Sequence, residues 1–546
     1  MDYQLVGLNW LYLHFLHNYN AILGDEMGLG KTVQVITLLV YIAKIHKVKG
    51  PHLVITPTST LSNWKQEIEK WGCGLTAGIY QGNEEEKKKV KREMESGSLN
   101  IVLTSFTAFE RAGMHRDRNF LYSHGYVYVI IDEGHCIKNV TAQRYTRLMK
   151  LQSRNRLILT GTPVQNNIAE LLTLISFVMP SYSTQITAII ERYKTNEEKE
   201  NEKVIHYVKR ILQPFLLRRE KSHVLQDLPA KHIQIEEINM VSEQKTLYDS
   251  ILTQYKENKN NHGNIQKEKF DNTCVIPEDI ENMEDSHIFT SLRKIANHPL
   301  LIRHIYRGDK LKSVADLLYD IHYFEDTSIQ KIYEYLYTQS DMEIDSLLRE
   351  VEKENKRKKT VQTLELDISV YECSGKVRHL FHLLPSFIQN KEKVLLFSQW
   401  VKILDILQFI LTYHGYSTLR IDGQTPVGDR QIIVDDFNQK EQYNILLMTT
   451  RSGGQGLNLT AANRSILFDV DFNPYVDKQA EDRLHRIGQE KEVYIYKMIT
   501  KESVDETIYN ISTKKENLEG FLLSEEKSSL NALATRVLSE LVQSDL

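Results

Sequence analysis

Short, nearly unbroken apolar runs recur along this chain, separated by helical patterns. HLVIT (52–56), IVLTS (101–105), VYVII (127–131) and RLILT (156–160) make one set, and VLLFS (394–398), ILLMT (445–449), SILFD (465–469) and VYIYKMI (493–499) make a second. A strand wet on one face alternates apolar and polar residues, whereas a run apolar throughout is dry on both. Strands of this kind, alternating with helices, build parallel sheets covered on each side. The fold class expected is α/β. With 546 residues the chain exceeds what one core supports. The two sets predict two lobes, residues 1–225 and 372–515. A helical insertion and hinge fills 226–371, and a short helical tail follows at 516–546. Within the insertion, the charged stretches 254–287 and 340–366 read as a mobile loop and as a helical or flexible insertion.

Composition excludes some classes. The longest apolar runs, such as VQVITLLVYIA (33–43), fall short of a membrane span, and no apolar signal segment opens the chain. Neither membrane association nor secretion is expected. Cys73, Cys136, Cys274 and Cys373 lie far apart with no C-x-x-C pair, so reduced intracellular thiols are expected, without a zinc site or disulfide framework. The net charge of −4 leaves any nucleic-acid contact to a local basic face.

GDEMGLGKT (24–32) has most features of a phosphate-binding loop, yet Asp25 stands where the strict pattern wants glycine. Ala21-Ile22-Leu23 is a short apolar run before the loop, and an apolar helix pattern follows Thr32. Gly28 and Gly30 let backbone approach phosphate oxygens, Lys31 supplies a cation for them, and Thr32 offers a hydroxyl to Mg²⁺. The carboxylates of Asp25 and Glu26 would repel a triphosphate, so they must point away. About a hundred residues on, VYVIIDEGH (127–135) ends an apolar strand in two acids. Asp132 is placed to hold Mg²⁺, and Glu133 to orient and deprotonate an attacking water.

DEMGLGKT, DEGH and LTGTPVQNN (159–167) together resemble the Swi/Snf family of helicase-like ATPases, in which the loop carries aspartate at this place. Further segments match in order: YQLVGLNWL (3–11), TPTSTLSNWKQE (56–67), PFLLRREKSHVLQDLPAK (214–231), LRKIANHPLL (292–301), SGK (374–376), LLFSQW (395–400), IDGQT (421–425), TTRSGGQGLNLTAAN (449–463) and QAEDRLHRIGQ (479–489). DEGH and DFNPYVDKQAEDRLHRIGQEKEV (471–493) are closest to the SMARCAD-type remodellers. In that branch ubiquitin-binding segments precede the ATPase core. This chain opens at the adenine-recognition segment, so it is expected to be a minimal form or a fragment.

The resemblance implies two RecA-like lobes and an ATP site formed by Gln4 and the loop Asp25, Glu26, Met27, Gly28, Leu29, Gly30, Lys31 and Thr32. Arg483 and Arg486, three apart and expected on one helix face, become arginine fingers from the second lobe. Thr160, Gly161 and Thr162 would relay nucleotide state. Contacts to double-stranded DNA would come from Thr58, Ser59 and Ser105, and from Gly423, Thr425, Thr449 and Arg451. Trp400 is either a wedge against the DNA or a core tryptophan. The cofactors implied are ATP and Mg²⁺. The implied partners are double-stranded DNA, nucleosomes or histones, and other remodeller subunits, in the nucleus. KKKVKR (87–92) and KRKK (356–359) read either as import signals or as solvated charge. The expected activity is a DNA-dependent ATPase that translocates on duplex DNA and remodels chromatin. The alternatives are a strand-separating helicase and a non-catalytic nucleosome-binding scaffold.

Overall fold

The structure, a computed structural model, describes residues 1–137, 139–161, 168–195, 210, 213–225, 228–261, 285–325, 327–354, 364–450, 457 and 459–518. Helix α1 (Asp2–Leu16) leads into strand β1 (Ala21–Leu23), the phosphate loop and helix α2 (Lys31–Ile45). Then come β2 (His52–Thr56), helix α3 (Leu61–Trp71), β3 (Ala77–Ile79), β4 (Ile101–Ser105), β5 (Tyr126–Ile131), β6 (Ser153–Leu159) and the two-residue β7 (Leu216–Leu217). These seven strands form one sheet in the order β3-β4-β2-β5-β6-β1-β7. The second sheet holds β8 (Lys231–Ile238), β9 (Val394–Ser398), β10 (Thr418–Ile421), β11 (Ile445–Thr449), β12 (Arg464–Leu467) and β13 (Val493–Thr500), in the order β10-β11-β9-β12-β13-β8. All pairings among the described residues are parallel.

All eight apolar runs are strands, and β2, β4, β9 and β11 are buried along their whole length. Their side chains feed cores on both sheet faces. In the first sheet Leu53, Ile55 and Val129 face one cluster, and Val54, Leu103 and Ile130 the other. In the second sheet Leu395 and Phe397 face one way, Val394 and Leu396 the other.

The stretch 226–371 is not uniformly helical. Strand β8 lies inside it and pairs with β13 from Lys231–Val493 to Ile238–Thr500. HIQIEEI alternates and faces solvent over most of its length, as an edge strand does. The helices Gly308–Asp320, Ile329–Tyr337 and Asp341–Glu354 share one core with Leu396, Leu447 and Ile466 of the second lobe.

The run KKKVKR sits on a helix, Glu84–Glu95, capped by Asn83 with Glu86 in a reciprocal box. Lys87 is buried against Asp117 at 2.8 Å, and Val90 and Met94 enter the core. The run is thus part of a folded helix with one of its lysines buried. KRKK, Cys274, Thr162, Arg451 and the tail beyond 518 lie outside the described residues. Cys73, Cys136 and Cys373 are free thiols. Among the described residues no helix is long and apolar enough to cross a membrane, and no group of His, Cys, Asp and Glu is arranged to hold a metal ion by itself.

Candidate functional site

Parallel strands deliver their C-terminal ends to one edge of the sheet, and the predicted ATP-site residues of the first lobe collect there. The loop follows β1, Asp132 and Glu133 follow β5, and Thr160 and Gly161 follow β6, which lies between them. Gly28 and Gly30 have φ of 86° and 74°, which only glycine adopts without strain. Gly161 packs so closely that an added Cβ would lie 2.4 Å from Met27 Cγ. Thr160 is buried and its N–H donates to the Leu23 carbonyl at 3.1 Å, tying β6 to the loop strand.

The two awkward carboxylates do point away. Asp25 is fully buried and accepts from Arg219, with Nε at 2.9 Å and Nη2 closer, and from Gln34 Nε2 at 3.3 Å. Glu26 accepts the Lys221 backbone N–H at 2.7 Å and lies 3.6 Å from Lys478. Burial alone would raise the Glu26 carboxyl, but the Lys221 amide and the charges of Lys221, Lys478 and Lys231 hold it below its ordinary value. Lys31 donates to the carbonyl of Asp25 at 2.8 Å and of Glu26 at 3.4 Å. Burial lowers its pKa, against the pull of Glu133, Asp132, Asp25 and Asp482. Thr32 is partly exposed beside it. Leu29 turns its side chain into the core while its carbonyl receives Tyr3 Oη at 3.0 Å and Gln4 Nε2 at 3.4 Å. Gln4 Nε2 thereby lies beside Gly30, 2.6 Å from where a Cβ would stand.

Asp132 is held by Trp64 Nε1 at 2.7 Å and Thr56 Oγ1 at 3.1 Å. Burial, and then the neighbouring Glu133 charge, push its carboxyl up to about 6. Glu133 has φ of 53°, a strained value for glutamate, and pairs with His135 Nδ1 at 3.2 Å. Burial opposes its charge, but His135, Lys31 and Arg483 outweigh that and keep it low. His135 is pushed up to about 10: burial works against the cation, and contacts with Cys136 and Glu133 overcome it.

The second lobe meets this edge. Arg483 is buried, and burial lowers its pKa against the opposing charges of Glu133, Asp482 and Asp132. Arg486 presses its backbone on the loop, with its Cβ 3.0 Å from the Cβ position of Gly28. Burial, then Arg483, lower its pKa to about 10. The two arginines are not on a helix, as the three-residue spacing predicted. The helix Pro474–Glu481 stops before them. Its last N–H bonds tighten, Arg483 to Ala480 and Leu484 to Glu481, and side chains take carbonyls a continuing helix would need. Lys221 Nζ takes the His485 carbonyl and Gln489 Nε2 the Leu484 carbonyl.

The predicted DNA contacts do not form one exposed set. Thr58 and Ser59 stand on a short 3₁₀ turn after β2, and Gly423 and Thr425 on the turn after β10, all at least partly exposed. Ser105 is buried, bonded to Thr107 at 2.5 Å, and Thr449 is buried at the end of β11. Trp400 is half-buried, packs against the core and lies 5.8 Å from the Arg293 guanidinium. Its Nε1 finds no partner among the described residues.

Several residues of the site escaped sequence reasoning. Trp64 and Thr56, which hold Asp132, lie within TPTSTLSNWKQE but look like core residues. Arg219 and Lys221 lie in PFLLRREKSHVLQDLPAK, with no local sign that they reach the loop.

Comparison with known proteins gives two family matches, an SNF2-related domain over residues 3–301 and a helicase conserved C-terminal domain over residues 375–488. The SWI/SNF-related matrix-associated actin-dependent regulator of chromatin subfamily A containing DEAD/H box 1 of Rattus norvegicus is 38% identical over 95% of this chain and 49% of its own. The ATP-dependent helicase FUN30 of Saccharomyces cerevisiae is 36% identical over 98% of this chain and 48% of its own. The chain thus spans about half the length of the curated relatives it matches. Among solved structures, the crystal structure of the C-terminal part of the Fun30 ATPase domain matches 58% of this chain and 99% of its own, with 32% identity and a TM-score of 0.50.

Proposed function

The chain belongs to the SNF2-related family, and from that premise we propose that it is a DNA-dependent ATPase that translocates on double-stranded DNA and remodels chromatin. One observation carries this: Arg483 and Arg486 of the second lobe lie at the phosphate loop and acids of the first. Hydrolysis then needs both lobes, and any change in the bound phosphates is felt by both. A nucleotide site that stayed within one lobe would lack that link.

The residues fit a triphosphate. The loop glycines are left-handed, the two neighbouring carboxylates are turned into other partners, and Lys31 is the cation at the loop. Thr32 and Asp132 would hold Mg²⁺, which supplies charge neutralisation at the phosphates. Glu133 is ionised at neutral pH and acts as the base for water while it stays beside His135. His135, as a cation, then holds Glu133 in its strained backbone setting and keeps it charged. The guanidinium groups of Arg483 and Arg486 balance charge developing on the phosphoryl group, a contribution on the order of 10³–10⁵ in rate.

DNA is gripped by its phosphates, because a moving motor cannot depend on base sequence. Thr58 and Ser59 in the first lobe and Gly423 and Thr425 in the second are the contacts the exposed turns favour. Action on chromatin implies action in the nucleus. ATP hydrolysis by the purified chain, measured without DNA, with duplex and with nucleosomes, tests the reading. Stimulation by duplex and a larger stimulation by nucleosomes are expected. No stimulation by either overturns it, and strand separation in an unwinding assay would favour the helicase alternative.

A further inference from the structure

Lys221 touches both halves of the ATP site. Its backbone N–H donates to Glu26 of the phosphate loop at 2.7 Å. Its ammonium donates to Asp482 Oδ1 and to the His485 carbonyl, both at 2.6 Å and both in the second lobe. Between these ends the side chain crosses the loop, with Cε 3.2 Å from the Cβ position of Gly28. Two residues earlier, Arg219 binds Asp25, donates to Gln34 at 2.9 Å and to the Tyr3 carbonyl, and lies 5.3 Å from the Tyr3 ring. The segment itself is held in register, since β7 pairs with β1 and the Glu26 N–H donates to the Arg219 carbonyl at 2.9 Å. Asp482 and His485 bracket Arg483 and precede Arg486.

We propose that residues 219–221 form a strap that registers the arginine-bearing turn against the phosphate loop, with Lys221 as its positioning residue. An ammonium this deeply buried needs its partners. Lys221 therefore stays buried only while the second lobe supplies Asp482 and the His485 carbonyl. A shift of Glu26 moves the Lys221 backbone, and the ammonium carries that shift to the residues on either side of Arg483. Lys221 touches no reacting atom; it acts through the placement of Arg483 and Arg486. The inference rests on the ATPase reading above.

The test uses the full chain. Lys221→Met keeps the length and loses the charge, and Lys221→Arg keeps the charge. For DNA-stimulated hydrolysis, Lys221→Met is expected to lower kcat by about a hundredfold, as misplaced catalytic groups do. KM for ATP should stay within about threefold and Lys221→Arg should recover most of the loss. Asp482→Asn, made from the other lobe, should give a similar loss that does not add to that of Lys221→Met; it also serves if Lys221→Met does not fold. A kcat at the parental level in either single variant, or additive losses, overturns the strap. A second readout needs no turnover: energy transfer between dyes on Cys73 and on Tyr413→Cys, both exposed, with the other three cysteines changed to serine. The parent should give one narrow distance and Lys221→Met a broad one; an unchanged distribution overturns the strap. A parent that hydrolyses ATP without DNA stimulation, yet shows the narrow and broad distances, refutes the function reading alone.

Discussion

Asp25 explains why the phosphate loop departs from the strict pattern. A glycine there would leave the largely covered Arg219 guanidinium without its main partner, because it is matched to that carboxylate by two hydrogen bonds. Restoring the strict pattern with Asp25→Gly should therefore destabilise the first lobe by about 3 kcal/mol, the cost of an orphaned buried charge. Thermal unfolding followed by tryptophan fluorescence would read this, and a variant as stable as the parent would refute the pairing. Glu133 is the second residue on which much depends. Glu133→Gln should lower turnover about 10²- to 10⁴-fold, the usual worth of a general base, while nucleotide binding persists. Equal turnover would remove Glu133 from the mechanism. Of these partners, Asp132 and Glu133 were legible because two acids end an apolar strand. Trp64, Arg219 and Lys221 were not, because each reaches its partner from a distant part of the chain.

At the level of elements, the segment LRKIANHPLL shows how one buried group can set acid stability. Nδ1 of His298 accepts the Leu300 N–H at 3.1 Å, so the ring proton sits on Nε2 and is donated to the Tyr371 carbonyl at 2.7 Å. Burial lowers its pKa from the ordinary value near 6.5 to about 4. The unfolded chain therefore binds the proton more readily, and stability is lost as pH falls from about 6.5 to about 4, by up to about 3 kcal/mol. His52, buried in β2 and also lowered to about 4, adds a loss of the same sign. Denaturation midpoints across this range should drop less steeply in His298→Asn than in the parent; parallel curves would exclude His298 as a source. The strand elements themselves were readable because burial on both faces leaves an apolar run. Strand β8 was missed because an edge strand alternates and carries charge. The three-residue spacing of Arg483 and Arg486 suggests a helix, but Lys221, from a distant part of the chain, takes the His485 carbonyl, and Gln489, five residues on, takes that of Leu484.

For the whole molecule, net charge is slightly acidic, so the DNA grip proposed above would come from local contacts with phosphates rather than from the overall field. DNA stimulation of hydrolysis should then fall steeply as salt rises, linearly in the logarithm of both quantities. Titrating salt at constant duplex concentration tests it, and stimulation indifferent to salt would argue against backbone tracking. The helical insertion shares its core with the second lobe, so the two are expected to unfold together.

Local chemistry was enough to read the α/β class, the eight apolar strands, the phosphate loop and the paired acids, since each is written in neighbouring residues by periodicity or spacing. Which side chains neutralise Asp25 and Glu26, where the helix before Arg483 ends, and that Lys221 spans both lobes were decided only in three dimensions. Those contacts join residues up to 264 positions apart, and nothing in a linear pattern records which distant carboxylate or carbonyl a buried cation will meet.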